Sequence, residues 1–500
     1  MRSSARHTRA MAMEEDRLAW RRARARMTSR GVERREASST RTTSGNAREN
    51  DREEDKRRAR VAVIGAGAAG LAAMRALDVE GHASEGFDVA NDVGGTWAYD
   101  EGRETSMYAS LRTNLPRELM GFTEFPFDAS NNRGDGRRFC GHAEVRRYLL
   151  AYAERFQLRE RVRFKTKVLS VERIARADEE DERAWSSQWE VTSSSSLGGD
   201  EDVRREIFDA VVVANGHYSE PRVPDFDGAE NWPGTRMHSH DYRTPEQFEG
   251  KKVLIIGAMA SGEDMSREIA SVADVVFLSA RAWQNPEWAN SIEGFGARSN
   301  IYRKPNVIKF SLDGSVEFED GSITPAIDVC LYCTGYRYEF PFLQNAGIIT
   351  VDDNCVAPLY EHCIAANAPS LSFIGLPWKV VPFPMFEIQS SWVARMLSGA
   401  VPAPTLAEME NFVSALELTL EPQGQVPRRH AHCFGDKQWE YNDRIARMAG
   451  VERLKSWRER MYVATGKNKR ANPETYRDAN MPDTQALVDA LEEFRMVVVT

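Results

Sequence analysis

RARVAVIGAGAAGLAAMRAL, Arg58 to Leu77, is the stretch on which the fold turns. A short apolar run enters Gly65, Gly67 and Gly70 and leaves as a segment of Ala, Leu and Met. That order predicts a strand, a tight turn and a helix. Glycine lets the backbone approach a pyrophosphate, and a helix N-terminus offers free N–H groups and the positive end of a dipole. About 20 residues on, such a unit carries an acid for a ribose hydroxyl. Asp88, in FDVANDVGGTW, stands at that place. The strand leading to it, HASEGFD, is poor, because Ser84, Glu85 and Gly86 resist a buried strand. Gly94 and Gly95 then allow a second close backbone approach, with Trp97 alongside.

A lone glycine motif is weak, but KKVLIIGAMASGEDMSREIA, Lys251 to Ala270, repeats it with Gly257, Ser261 and Gly262 as cofactor-binding positions. Two such units suggest two nucleotide cofactors. Met259 takes the place of the middle glycine, which predicts a more distant pyrophosphate or a rearranged turn. After the next strand, VADVVFLSARAW, Arg281 stands where an NAD-binding fold shows an acid. A cation there suits a 2′-phosphate, so the second nucleotide is expected to be NADPH. Ser279 is expected to add a hydrogen bond.

Between the units the sequence reads as a helix over 137–155, then strands over 162–171, 188–192 and 203–208. These strands form a small antiparallel meander, with SSSSLGGD, Ser193 to Asp200, as a flexible loop. FDAVVVANG and AIDVCLYCTGY predict buried strands. Asn215, and Thr334 with Gly335, follow their carboxyl ends, where open α/β sheets bind ligands. The expected class is α/β, with two Rossmann-like dinucleotide-binding domains. The second, 231–326, is inserted in the first, 58–221 and 327–450. A C-terminal helical extension follows over 451–500, and helices are expected over 406–418 and 484–494. Residues 1–57 are rich in Arg, Ser, Thr and charge, and read as disordered. Their acid-free start suits an organelle transit peptide, whereas Glu14 and Glu15 argue against one.

The net charge of -9 argues against nucleic acid as a partner. Six cysteines are too sparse for a disulfide framework, which favours a reducing compartment. No apolar run is long enough for a transmembrane anchor. The most apolar segment, Leu371 to Phe386, holds three prolines and a lysine, and reads as buried loop and short strand. Cys330 and Cys333 resemble a redox pair, but residues i and i+3 of a strand face opposite ways. A flavin–disulfide reductase is rejected on that ground. NWPGTRMHSHDYR, Asn231 to Arg243, holds His238 and His240 without a cysteine or acid at helical spacing, so no metal site is expected. It reads as the crossover between the domains. Trp232 is its apolar anchor, Gly234 its turn, and His238 and Tyr242 fix it by packing and hydrogen bonds.

From Val61 to about Met448 the chain resembles the flavin-containing monooxygenases. Trp232-Pro-Gly234-Thr-Arg-Met-His238-Ser-His-Asp-Tyr242 is similar to the family's FxGxxxHxxxY, with Trp in place of Phe. GAGAAG, VGGTW, TNLPRELM and CTGY also carry the likeness. YASLRTNLPRELMGFTEFPF, ANGHYSEPR and GLPWKVVPFPMFEIQSSW resemble the plant-like branch that oxygenates thioether sulfur. Tyr242, rather than a Trp, resembles monooxygenases of soft heteroatoms more than Baeyer–Villiger enzymes.

The resemblance implies FAD on the first fold and NADPH, its reductant, on the second. It implies that reduced flavin takes up O2 as a C4a-hydroperoxide, shielded by the oxidised nicotinamide. A small-molecule thioether or amine then takes one oxygen atom. Asn114, in RTNLPREL, matches the family asparagine near the flavin and is the expected catalytic residue; its alternative role is the N-cap of a helix starting at Leu115. Tyr108, Ser110, Leu111 and Thr113 are expected along the flavin side, and Gln389 at the isoalloxazine or ribityl chain. Two rivals are an N-oxygenating or auxin-forming member of the class and a degenerate flavoprotein with a binding or regulatory role. The expected location is cytoplasmic, or the chloroplast or another organelle if the tail directs it there.

Overall fold

The computed structural model describes residues 58–99, 105–128, 134–174, 187–195, 202–283, 285, 287–288, 291–479 and 483–499. The tail before residue 58 and most of the SSSSLGGD loop lie outside them.

Arg60–Ile64 is the strand that enters the first glycine turn, and Ala68–Val79 is the helix that leaves it. The strand lies inside a seven-stranded sheet. Its order is Leu359–Tyr360, Ile364–Ala365, Leu371–Phe373, Ala210–Val213, Arg60–Ile64, Ala83–Phe87, Val162–Arg163. The five strands from Leu371–Phe373 onward run parallel, and at the other edge Leu359–Tyr360 and Ile364–Ala365 each pair antiparallel with the next strand inward. Alternation sorts the side chains. Val61 and Val63 enter a core with the Ala68–Val79 helix and with Phe383, Ile388 and Trp392 of the Pro382–Ser398 helix. Ala62 and Ile64 enter a core on the other face with Val171, Trp189, Val191 and Phe208. Those residues belong to the antiparallel meander Thr166–Ile174, Gln188–Ser195, Val203–Phe208. The single strand expected over 162–171 is therefore two: Lys165, at φ 51, turns the chain from the first sheet into the meander.

The HASEGFD segment does form a strand, and packing explains its glycine. A Cβ on Gly86 would stand 3.0 Å from Val162 Cγ2 and 3.1 Å from Met74 Sδ. Glu85 is held by ion pairs to Arg60 and Arg163.

The second sheet has five parallel strands, in the order Ile301–Lys304, Val275–Ser279, Lys252–Ile256, Val329–Tyr332, Thr235–His238. The Ala260–Ala270 helix covers one face and the Val307–Phe310/Val316–Phe318 hairpin the other. The boundary expected after Ala326 is corrected here. Val329–Tyr332 pairs with Lys252–Ile256 on one side and Thr235–His238 on the other. A short, wholly apolar strand carries no mark of which parallel sheet receives it. Cys330 and Cys333 lie in the cores on opposite faces of this sheet, and both are free thiols.

Helices at His142–Arg155 and Leu406–Glu417 lie within the segments read as helical. The Pro382–Ser398 helix does not: its prolines read as a loop, yet Pro382 opens the helix, where a missing N–H costs nothing. Ser456–Ala471 and Thr484–Val499 pack as a pair, with Trp457, Met461, Ala486 and Phe494 closing on Leu119 and Val381. Among the described residues, no helix is long and apolar enough to cross a membrane.

The crossover packs differently from expectation. Trp232 is buried and its indole N–H donates to Gly314 O at 3.0 Å. Gly234 is not at a positive φ, so a left-handed turn is not its role. A Cβ there would stand 2.2 Å from Cη2 of the Trp232 ring. Gly234→Ala should lower stability by about 1–3 kcal/mol, the usual cost of overpacking. Trp232→Phe in the same chain should recover part of it. Urea melts of the four chains give the coupling, and purely additive losses would contradict the contact.

Candidate functional site

The two glycine turns are built alike. Gly65 has φ +106 and Gly257 φ +107, and a Cβ on either would stand 2.4 Å from a strand-end carbonyl oxygen, of Ala214 or of Cys333. A Cβ on Gly70 or Gly262 would stand 1.9 or 1.7 Å from the carbonyl of the turn's own first glycine. The residue before each helix is extended: Gly67 at φ -77, ψ -171 and Met259 at φ -86, ψ -168. The turn is therefore not rearranged at Met259, because any residue adopts that conformation. Gly67 meets a different constraint. Gly95, at φ +54, lies over it, and a Cβ on Gly95 would stand 2.8 Å from Gly67 Cα. Met259 is instead 57% exposed. Neither helix has a side-chain cap, so the first-turn N–H groups lack a side-chain acceptor.

Asp88 follows the Ala83–Phe87 strand. Its carboxylate accepts from Ala66 N at 2.6 Å and Ala90 N at 2.7 Å, which ties it to the glycine turn. Trp97 is half-buried, edge-on to Phe383 at 6.5 Å. In the second unit Ser261 is exposed on the first helical turn, and Arg281 is exposed past the Val275–Ser279 strand, with no carboxylate partner among the described residues. Ser279 is buried and its hydroxyl donates to Pro305 O at 2.6 Å, so the ligand contact expected of it is corrected.

The crossover grips the loop ahead of Asn114. Ala109 N donates to Arg243 O at 3.0 Å, and the Arg243 guanidinium donates to His240 O at 2.7 Å. The Tyr108 and Tyr242 rings meet edge-on at 5.6 Å, and the Tyr108 hydroxyl donates to Asp264 at 3.4 Å. Leu111 is half-buried beyond them. Asn114 is exposed, and its amide has no hydrogen-bond partner among the described residues. The short helix there is Arg117–Met120 with Pro116 as N-cap, so the capping alternative for Asn114 falls away.

Among the described residues, several buried polar atoms lack a protein partner: Thr113 Oγ1, His217 Nε2 and His240 Nδ1. His238 ends its strand, and His217 follows the Ala210–Val213 strand. A polar ligand at the carboxyl edges would satisfy such atoms. Gly216 at φ +75 and Gly335 at φ +83 have open space where a Cβ would stand. The side chains beside them are engaged: Asn215 donates to Glu339 O at 3.2 Å, and the Thr334 hydroxyl donates to Arg222 O. What they offer a ligand is backbone.

The model of the flavin-binding monooxygenase-like family matches residues 58–291. Flavin-containing monooxygenase FMO GS-OX-like 4 of Arabidopsis thaliana is 44% identical over 87% of this chain and 97% of its own length. The chain belongs to the flavin-containing monooxygenase family. The structure of S-allyl-L-cysteine S-oxygenase from Allium sativum is also similar. It is 40% identical, with a TM-score of 0.80, over 88% of this chain and all of that one. Tmm from Pelagibacter sp. strain HTCC7211 shares the fold, at 23% identity and a TM-score of 0.69 over 84% of this chain and 93% of its own. A pyridine nucleotide-disulphide oxidoreductase model matches residues 208–375, but Cys330 and Cys333 face opposite sides of their sheet. The chain is thus an NADPH-dependent flavin monooxygenase with FAD and NADPH as cofactors.

Gln389 of the monooxygenase is corrected as a flavin ligand. It is fully buried, its carbonyl accepts from Gly375 N at 3.0 Å and its amide donates to Tyr441 Oη at 2.7 Å. Both ends are used in the core. Among the described residues no group of three or more His, Cys, Asp or Glu is placed to hold a metal.

Burial holds several histidines neutral. His217, His238 and His362 are each pushed down to about 4, His238 against the pull of the Gly335 carbonyl, and His432 lies well below the ordinary value. His432 Nδ1 meets His362 Nδ1 at 3.0 Å, with Val356 N donating to its Nε2. The unfolded chain, with histidines near 6.5, binds more protons between pH 6.5 and about 4. Their contribution to stability is therefore complete above 6.5 and lost as pH falls toward 4. His362→Phe should make the fall in melting temperature across that window shallower. An unchanged slope by calorimetry would contradict it.

Proposed function

We propose that this monooxygenase transfers one oxygen atom from O2 to the sulfur of a small-molecule thioether, giving an S-oxide, while the other oxygen leaves as water. The observation that carries this is the 40% identity, over the whole of its length, to an S-allyl-L-cysteine S-oxygenase. The GS-OX-like relatives point the same way. NADPH brings the two electrons and FAD the reaction with O2 that no side chain here can perform.

The chain's own residues have four tasks. Gly65, Gly67 and Gly70 bring backbone and an open helix start to the FAD pyrophosphate, Asp88 accepts from its ribose, and Gly95, Trp97, Leu111 and Thr113 line the flavin. Gly257, Ser261 and Gly262 do the same for the NADPH phosphates, with Arg281 on the 2′-phosphate. Asn215, Thr334 and Gly335 border the cofactors through backbone. Asn114 presents a free amide to the reacting centre, and His238 and Tyr242 close the crossover behind it. Because His238 Nδ1 accepts from His240 N at 3.1 Å, the proton of the neutral ring sits on Nε2, on the side of the Gly335 carbonyl. The free cysteines, five of them buried, support a reducing compartment such as the cytoplasm.

Mass spectrometry of products formed from a methyl thioether, a tertiary amine and a keto acid, each with NADPH and air, tests the reading. The S-oxide should dominate, and a preference for the N-oxide would overturn it. Asn114→Leu should lower S-oxide formation about 100-fold, the scale of a lost transition-state donor, at unchanged FAD content. Normal turnover would remove Asn114 from the chemistry. Arg281→Ala should raise the KM for NADPH by about tenfold or more, since a charge-assisted contact is lost, and leave that for NADH unaltered. Equal effects on both would exclude the 2′-phosphate role.

A further inference from the structure

The last turn of the Ser456–Ala471 helix and the segment that follows it reach both halves of the site. Lys469 pairs with Glu263 at 2.9 Å, and Glu474 with Arg267 at 2.8 Å. Both partners stand on the Ala260–Ala270 helix, whose N-terminus follows the second glycine turn. Asp478 pairs with Arg112 at 2.8 Å, just ahead of Asn114.

Arg477 touches the two halves with one side chain. Its Nη1 and Nη2 donate to Asp264 Oδ1 and Oδ2 at 3.0 and 2.6 Å, and its Nε donates to the Thr113 carbonyl at 3.0 Å. The Arg477 and Asp264 side chains are 18% and 22% exposed, whereas Asp478 is 65% exposed. The Arg477 pair is thus the less screened by water and salt. Asp264 also accepts from Tyr108, in the loop that leads to Thr113.

We propose that Arg477 is a positioning residue for oxygen transfer. It holds the Thr113–Asn114 backbone at a set distance from the Ala260–Ala270 helix, and so aligns the flavin side with the NADPH side. The proposal rests on the cofactor assignment given above. A planar guanidinium directs N–H groups to both oxygens of one carboxylate while a further N–H meets a carbonyl. A lysine ammonium is a point charge and cannot reproduce that fork. The tie matters because a misplacement of about 1 Å can cost two orders of magnitude in a reaction that depends on alignment. Poor alignment here has a specific outcome. Both electrons of NADPH still reach O2, which leaves as hydrogen peroxide with no oxygen atom on sulfur.

The test uses the full-length, FAD-loaded enzyme with a methyl aryl thioether, comparing Arg477→Ala, Arg477→Lys and Asp264→Asn with the parent. The ratio of S-oxide to hydrogen peroxide should fall at least ~fivefold in Arg477→Ala, within the range of coupling carried by such networks. FAD content should hold, Arg477→Lys should not restore the ratio, and amide exchange over 107–114 should quicken. An unchanged ratio in Arg477→Ala, with or without a lower melting temperature, overturns the proposal, as does full recovery in Arg477→Lys. Asn114→Leu separates the two readings. If it leaves both turnover and the ratio intact while Arg477→Ala lowers the ratio, the Asn114 role fails and the Arg477 tie stands. If Asn114→Leu lowers the ratio and Arg477→Ala does not, the tie fails.

Discussion

Two glycines at φ near +106 carry the chain off its strand against the carbonyl of a neighbouring strand's end. The rest of the molecule depends on that contact. At 2.4 Å from Ala214 O or Cys333 O there is no room for a Cβ, so each helix can start only where a glycine passes under the adjacent strand. The helix start is then brought to the carboxyl edge of the sheet, with its N–H groups unclaimed by any capping side chain. An uncapped helix start at the carboxyl edge thus follows from how strand, turn and helix pack.

Two copies of this device serve one reaction only if they face each other correctly, and that is a matter for the segments between them. The crossover ties the Tyr108–Ala109 loop through Arg243 and Tyr242. The C-terminal segment reaches Asp264 and Thr113 through Arg477. These contacts converge on the backbone just before Asn114. Around them lie buried polar atoms that lack a protein partner among the described residues, atoms that a polar ligand would satisfy. The histidines at this edge are neutral by burial, which suits hydrogen bonding better than charge.

Local signals were legible where the constraint is local. Gly65, Gly70, Gly257 and Gly262 meet atoms within their own turn or at the next strand end, so their spacing alone marks the units. The meander showed as strands set around a flexible loop, and the opposite facing of Cys330 and Cys333 follows from strand period alone. Signals failed where two readings share one local chemistry. Val329–Tyr332 is apolar enough for either sheet, and only its pairing partners decide. Gln389 sits in a motif-like segment, but its amide bonds Gly375 and Tyr441, 14 and 52 residues away. The glycine of the crossover reads as a turn and proves to be a seat for an indole.

The sequence by itself determined two strand–glycine–helix units, an inserted second fold, a cationic residue just past the strand that follows the second unit, and the family to which these belong. Such features depend on residue type and spacing within about 25 residues, which a linear pattern preserves. Only the tertiary structure decided which sheet owns the strand at Val329–Tyr332, that Pro116 and not Asn114 is the N-cap of the short helix, and that Arg477 joins the two halves. Arg477 lies 364 residues from Thr113 and 213 from Asp264. Nothing in one dimension brings three such groups together, and their contacts exist only once both sheets and the last helices have packed.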